Sequence, residues 1–444
     1  MSEPESALSG ASVVAWLRQV SPYFQRHRGQ TFVVYFGGEA VAASGFTDLI
    51  RDLLLLAAVG VRLVVVFGAR PQIERRLAAR GIAPRVVGDL RVSDAETMAE
   101  VREVVGAMRL EIEAAFSFGS RGGPLTGAGC RIASGNFVLA RPAGIIEGVD
   151  LMFTGLVRSV DARAIAARLE AGDIVLLAPL GYSPTGELFN LKAKDLAATV
   201  AAEIGASKLV MLTERDGIAA EQGGIARQLT LREARALRDT TRARRHDDFE
   251  ALDTGIAACE GGVERVHIVS RLVDGVLLRE LFTRDGIGTL LSGAPFDELR
   301  EARVDDVGGI LQLVQPLEAR GLLVKRSREK LETEIDHFVV MVRENTVVAC
   351  GALYPYPEQR TAEIACIAVH PDYRGGQFGD LLLDALERRA RGQGLDSVFV
   401  LTTQATQWFN ERGFTAGALD ALPVAKRELY NYQRNSAVLR KALA

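Results

Sequence analysis

Residues Thr361 to Gly379 read TAEIACIAVHPDYRGGQFG. Ile364, Ile367 and Val369 are β-formers in a run without a breaker, so this stretch begins as a strand, and His370-Pro371-Asp372 ends it. A helix follows, because Phe378, Leu382, Ala385 and Leu386 recur at helical spacing while Asp384, Glu387, Arg388 and Arg389 take the other side. Between the two lies Arg374-Gly375-Gly376-Gln377-Phe378-Gly379. A Gly-bearing turn that opens a helix presents backbone N–H groups with no internal partner, and the helix dipole adds to their pull on an anion. The geometry expected here is a pyrophosphate cradle.

Working outward from that turn, 444 residues are enough for two or three domains. A net charge of −3 gives no reason to expect a nucleic acid or an anionic membrane as partner. Cys130, Cys259, Cys350 and Cys366 show no C-x-x-C spacing, so neither a metal site nor a disulfide framework is expected. The opening MSEPESALSG is polar and acidic, unlike a secretory signal, and no apolar run reaches the ~18 residues of a membrane span. The cytoplasm is the expected compartment.

Apolar residues at helical spacing over Ser12–His27 predict an amphipathic helix ahead of the first strand, read as an appendage: a helix packed on its own domain or an arm reaching a neighbouring subunit. Then strands (Thr31–Phe36, Val61–Phe67, Asp173–Leu177, Lys208–Leu212, Val266–Val269) alternate with helices (Phe46–Ala58, Gln72–Arg80, Asp94–Ala115, Asp161–Ala171). Short continuous apolar strands separated by helices predict a three-layer α/β domain with a mainly parallel sheet over residues 1–292. A hinge at Ser292-Gly293-Ala294-Pro295 opens a connector over 293–303, and a smaller α+β domain runs from 304 to 444. Within that second domain Glu363 is a carboxylate on the strand that leads into the cradle. Period-two alternation puts it on one face with Ala365, Ile367 and Val369, and Cys366 on the other. A carboxylate in an apolar row is either salt-bridged or functional.

The strand–His-Pro-x-Tyr-Arg-Gly-x-x-x-Gly–helix pattern resembles the acetyl-CoA loop of the GCN5-related N-acetyltransferases (GNAT), with Gln377 where a Gly is usual. The resemblance implies that the backbone of Cys366, Ile367 and Val369 and the loop residues Arg374, Gly375, Gly376, Gln377 and Gly379 hold acetyl-CoA, with no metal. The front of the chain resembles the amino-acid kinases, acetylglutamate kinase in particular, through Phe32-Val-Val-Tyr-Phe-Gly-Gly, Val66-Phe-Gly-Ala-Arg-Pro, Leu90-Arg-Val-Ser-Asp and Phe189-Asn-Leu. Tyr35 stands where those kinases carry a Lys, and Ala69-Arg70 replaces two of three glycines, so the phosphoryl chemistry is expected to be lost. The tail Glu280-Leu-Phe-Thr-Arg-Asp-Gly-Ile-Gly resembles the arginine site of arginine-regulated members, which implies Tyr23, Glu280, Gly286 and Gly288 as its residues. There a carboxylate facing backbone carbonyls would receive a guanidinium.

Leu401-Thr-Thr-Gln-Ala-Thr-Gln-Trp-Phe and Leu429-Tyr-Asn-Tyr-Gln-Arg-Asn-Ser complete a resemblance to bacterial arginine-regulated N-acetylglutamate synthases. By that resemblance Glu363 is the base and Thr402 the proton donor to the thiolate, while Arg326, Arg434 and Ser436 grip the carboxylates of L-glutamate. It implies direct acetyl transfer, L-arginine as effector and a ring-like homo-oligomer, with a hexamer as the candidate size. Two other readings stay open at this point: an active kinase with an appended acetyltransferase, and an arginine-responsive binding protein whose catalytic half has decayed.

Overall fold

The computed structural model describes residues 10–122, 131–220, 223–241, 246–283, 286–293, 297–343, 346–374, 377–428 and 436–443. The chain divides into two compact units, Met1–Ala294 and Pro295–Ala444.

In the first unit eight strands form one sheet. Their order is Gln228–Thr230, Thr289–Ser292, Arg265–Ser270, Lys208–Thr213, Thr31–Phe36, Arg62–Phe67, Asp173–Leu177 and Arg131–Ser134. Six of these run parallel; Thr289–Ser292 lies antiparallel to Arg265–Ser270 and carries Gln228–Thr230 beside it. Period two sends alternate residues to opposite faces. Val33, Tyr35, Val64 and Val66 pack with Ile165, Leu196 and Leu252 on one side, whereas Phe32, Val34, Phe36 and Phe67 pack with Leu53, Met108 and Leu277 on the other. Each such fully buried side chain stabilises the fold by roughly 1.5–3 kcal/mol. Strand order reverses about Thr31–Phe36, which puts a crevice outside the C-terminal ends of the strands there.

The expected strands and helices are present, with bounds moved by a few residues; the helix expected over Asp94–Ala115 runs from Ala95 to Gly122, its start capped by the Asp94 carboxylate accepting from the Thr97 N–H at 2.8 Å. A second sheet, Leu188–Asn190, Leu180–Tyr182, Val138–Pro142 and Gly155–Val160, was not read from the sequence, since its strands are short and partly exposed. The N-terminal helix, Gly10–His27, is more than an appendage. Val20 is buried in the core, the Phe24 ring lies 5.2 Å edge-on from Phe282, and His27 Nε2 donates to the Leu281 carbonyl at 2.8 Å.

The second unit is a seven-stranded sheet in the order Asp297–Glu301, Phe338–Arg343, Thr346–Tyr356, Thr361–Val369, Ser397–Thr402, Ala437–Ala442 and Thr415–Ala416. Every neighbouring pair is antiparallel except Thr361–Val369 with Ser397–Thr402. Helix Phe378–Gly392 covers one face through Leu382, Leu383 and Leu386, and helices Val307–Ala319 and Arg328–Thr333 cover the other through Ile310, Leu313 and Leu331. The expected connector over 293–303 is corrected, because Asp297–Glu301 pairs with Phe338–Arg343 as an edge strand. Its sequence, DELRE, has no β-formers; Arg300 is anchored instead by two hydrogen bonds to the Asp306 carboxylate, at 2.7 and 2.9 Å.

One irregularity positions the site. Opposite Cys350 and Ala352, the strand Thr361–Val369 slips register: Ala352 faces Ala365, Cys350 faces Ala368, and Cys366 with Ile367 fills the space across from Gly351. Cys366 takes φ +54°, the left-handed region that costs an L-residue ~1–2 kcal/mol. A β-branched side chain tolerates that conformation least. Cys366→Val is therefore expected to lower stability by about 1–2 kcal/mol in chemical denaturation of the full chain, although its volume and apolarity suit a core position. A neutral result would mean that the bulge is not a fixed feature of the strand.

Candidate functional site

The strands Thr361–Val369 and Ser397–Thr402 pair only through Thr361↔Ser397, Ala362↔Val398 and Glu363↔Phe399. At that end they are stapled, with Thr361 Oγ1 donating to the Ser397 carbonyl at 3.1 Å and Arg440 Nη2 donating to Ser397 Oγ at 2.8 Å. Beyond Glu363 the two part. Residues 364–369 are held by Thr346–Tyr356, and Thr402 by Ala437. The result is a wedge that opens toward the turn and the N-terminus of helix Phe378–Gly392. Freed backbone groups along such a wedge need partners.

The bulge corrects two expectations. Glu363 and Ala365 do share a side, but Ile367 and Val369 pack with Leu382 and Leu386 on the opposite one, and Cys366 packs with Ala365 and Ala368 on the side of Glu363. One inserted residue reverses the parity of everything after it. Burial pushes the Cys366 thiol up to about 11; the nearby Arg326 guanidinium opposes this and the Glu363 carboxylate adds to it.

Glu363 is buried, 6% exposed, and its Oε2 accepts an ion-pair contact from Lys426 Nζ at 2.7 Å. Its register partner is Tyr354, over whose ring the Arg326 guanidinium lies at 6.0 Å. Arg326 Nε is closed off from solvent and has no hydrogen-bond partner among the described residues. Glu363, Arg326, Tyr354 and Cys366 thus converge on one side of the sheet. Thr402 is buried at the end of its strand; its Oγ1 accepts from the Ala405 N–H at 2.9 Å, and that bond leaves its own O–H proton unused. Ser436 is buried too, whereas Arg434 lies outside the described residues.

At the turn, Gly375 and Gly376 lie outside the described residues, and Arg374 is exposed. Gln377 takes φ −78° as the residue before the helix, an ordinary conformation, so the missing Gly costs the backbone nothing. Gly379 has a reason of its own: a Cβ there would meet the Trp408 ring at 3.0 Å. Arg343, which the sequence did not single out, lies over the rings of Tyr373 and Phe378 at 5.3 and 5.6 Å, beside the loop.

In the first unit Glu280 is 6% exposed and meets donors, not the expected backbone carbonyls. His267 Nδ1 donates to it at 2.7 Å, and the N–H groups of Ile287 and Gly288 at 2.6 and 3.0 Å. Burial alone would raise its pKa; the hydrogen bond and charge of His267 and the two amides outweigh it and pull the carboxyl down to about 2. Gly286 is required, with φ +57° and the Glu280 carboxylate 2.7 Å from where a Cβ would stand. Gly288 would likewise press on the Ile268 carbonyl at 2.3 Å. Tyr23 sits on the helix that docks His27 against this corner, with ring centres 6.3 Å apart. His267 escaped the sequence reading because a histidine inside an apolar strand reads as core.

The crevice at the strand ends is a cavity of about 300 Å³ lined by Tyr35, Gly37, Gly68, Arg70, Arg91 and Asn190, among others. Two segments expected to meet there do so: Asn190 Nδ2 donates to Ser93 Oγ at 3.1 Å, and Ser93 also bonds Thr154 at 2.9 Å. The Tyr35 phenol fills the space over the glycine turns, 3.3 Å from where a Cβ on Gly68 would stand. Burial keeps that phenol protonated far above neutral pH. Among the described residues the ammonium groups lining this cavity are those of Lys192 and Lys194, and Tyr35 itself brings no charge.

The amino acid kinase family model matches residues 30–270, and the acetyltransferase (GNAT) family model residues 310–414. The amino-acid acetyltransferases of Ectopseudomonas mendocina and Pseudomonas aeruginosa are each 49% identical over 97% of this chain and 99% of their own. The N-acetylglutamate synthase of Neisseria gonorrhoeae, solved with coenzyme A and L-arginine, is 38% identical over 97% of this chain and 99% of that one, with a TM-score of 0.88; with coenzyme A and N-acetyl-glutamate the TM-score is 0.62. An amino-acid-kinase unit whose phosphate turn is filled by a phenol, joined to a GNAT unit with a splayed strand pair, makes this chain a member of the amino-acid acetyltransferase family.

Proposed function

We propose that the chain transfers the acetyl group of acetyl-CoA directly to the α-amine of L-glutamate, and that L-arginine acts on it through the first unit. The observation that carries this reading is the convergence of a buried carboxylate, Glu363, and a half-buried guanidinium, Arg326, beside the parting of two parallel strands. The guanidinium suits a substrate carboxylate, and the carboxylate suits a substrate amine. The N-terminus of helix Phe378–Gly392 and the turn before it would hold the pyrophosphate of acetyl-CoA.

In this reading Glu363 takes a proton from the substrate ammonium, and the freed lone pair attacks the thioester carbonyl. As the C–S bond breaks, Thr402, whose O–H is unused by its bond to Ala405, donates to the departing thiolate and recovers a proton from the nitrogen, which sheds its second one as the amide forms. Arg326, Arg434 and Ser436 hold the two carboxylates, which fixes the amine in place. A thiol nucleophile is disfavoured. Cys366 is buried and its pKa is raised to about 11, so little thiolate exists at neutral pH. In the first unit, the ionised Glu280 carboxylate is the group that would receive a guanidinium, and the L-arginine complex of the Neisseria gonorrhoeae enzyme supports L-arginine as the effector. The reading brings with it a cytoplasmic homo-oligomer without phosphoryl-transfer activity.

Glu363→Gln is expected to cut kcat on the order of 10²–10⁴-fold while coenzyme A affinity, measured by titration calorimetry, stays within a factor of two or so. Unchanged turnover would remove the base assignment. Glu280→Gln is expected to weaken L-arginine binding roughly 10–100-fold, read as loss of the arginine-induced rise in thermal midpoint. An undiminished rise would move the effector site elsewhere.

A further inference from the structure

Lys426 belongs to no motif in the sequence, yet its Nζ lies 2.7 Å from Oε2 of Glu363. It stands on the short helix Val424–Glu428, which directly precedes the stretch carrying Arg434 and Ser436. The pair is well shielded, with side chains 8% exposed for Glu363 and 23% for Lys426. Shielding two charges is costly unless the geometry is good, so an ion pair on a proposed base calls for a role.

An amine hydrogen-bonded to the same carboxylate oxygen would lie within about 6 Å of Nζ, by the ordinary length of an N–H···O bond. Two ammonium groups on one shielded carboxylate repel each other, and like charge favours the neutral form of whichever loses its proton more readily. An α-ammonium is more acidic than a lysine ammonium, so the substrate yields.

We infer that Lys426 is a positioning residue for acetyl transfer: it holds Glu363 by Oε2, and its charge lowers the pH at which the amine and the carboxylate it is presented to release their shared proton. This rests on Glu363 being the base. In the step, an N–H bond of the substrate breaks, Glu363 takes the proton in passing, and its O–H bond breaks in turn as the proton goes to water and the carboxylate beside Lys426 is restored. The nitrogen lone pair is left for the thioester, and Lys426 keeps its three protons.

Among the described residues, the groups on this side are Tyr354 and Tyr356 on the neighbouring strand, Cys366 on the strand of Glu363, Arg326 near the start of helix Arg328–Thr333, Lys426, and, behind Tyr354, Glu334 and His337. Burial, helped by the Glu363 charge, pushes the Tyr356 phenol up to about 12; burial also raises the Tyr354 phenol, and Cys366 stands at about 11. All of these groups are the same in wild type and in the Lys426 variants, so a limb that moves with Lys426 and returns with an arginine there reports the charge at that position.

The test is the pH dependence of kcat for glutamate acetylation by the full chain, compared among wild type, Lys426→Met and Lys426→Arg. Lys426→Met is expected to move the acid limb up by about one pH unit, with roughly tenfold loss on the limb and recovery at higher pH; Lys426→Arg restores the limb. Should Lys426→Met fold poorly, Lys426→Gln keeps a hydrogen bond without the charge and is expected to shift the limb likewise. An equal loss at every pH, or a limb that Lys426→Arg does not restore, overturns the inference. Glu363→Gln in the same series keeps the two claims apart: unimpaired turnover there removes the base, whereas an unmoved limb with a slow Glu363→Gln removes only the role of Lys426.

Discussion

The catalytic half depends on a strand that cannot stay in register with both neighbours. Thr361–Val369 is stapled to Ser397–Thr402 for three residue pairs and then released, while its pairing with Thr346–Tyr356 continues only by absorbing one extra residue at Cys366. A left-handed cysteine is an expensive way to make a bulge. What it brings about is a change of side. Cys366 joins Glu363 on the face that Arg326 and Tyr354 approach, and Ile367 and Val369 turn to anchor helix Phe378–Gly392. The placing of Cys366 beside Glu363 and the seating of helix Phe378–Gly392 follow from one local irregularity.

The first unit keeps the amino-acid kinase scaffold and places a tyrosine over its glycine turns. Parallel strands still deliver glycine turns and an Asn190–Ser93–Thr154 network to the crevice, so the backbone answer to the sequence is that of the kinases. At the phosphate end a neutral, buried phenol replaces a cation, and phosphoryl transfer runs on charge stabilisation. At the sheet's other side, Glu280 is held charged by His267 and two amides, in contact with the helix that begins the chain. An uncharged phenol and an ionised carboxylate thus mark two separate places within the same unit.

Much of this was legible in the sequence because it rests on patterns with a short physical reach. Thr31–Phe36, Asp173–Leu177 and Thr361–Val369 appear with the expected bounds, since an apolar run flanked by breakers has few alternatives. Arg326 and Glu363, each singled out through the family resemblance, lie on one side of the second sheet, while Arg434, expected beside Arg326, lies outside the described residues. What the sequence hid depends on long reach or on backbone sign. Nothing in composition marks Cys366 as left-handed, so strict alternation put it on the wrong face. Lys426 reaches Glu363 from a five-residue helix far along the chain, and Asp297–Glu301 becomes a strand only because Phe338–Arg343 offers it an edge.

The central claim is that acetyl transfer to glutamate belongs to the second unit and nucleotide chemistry to neither. The most direct measurement is the release of free thiol from acetyl-CoA by the full chain, with and without L-glutamate, alongside release of ADP from ATP in the presence of N-acetyl-L-glutamate. The account predicts thiol release that requires glutamate and yields stoichiometric N-acetyl-L-glutamate, with no ADP above background. Thiol release indifferent to glutamate, or steady ADP formation, would contradict it.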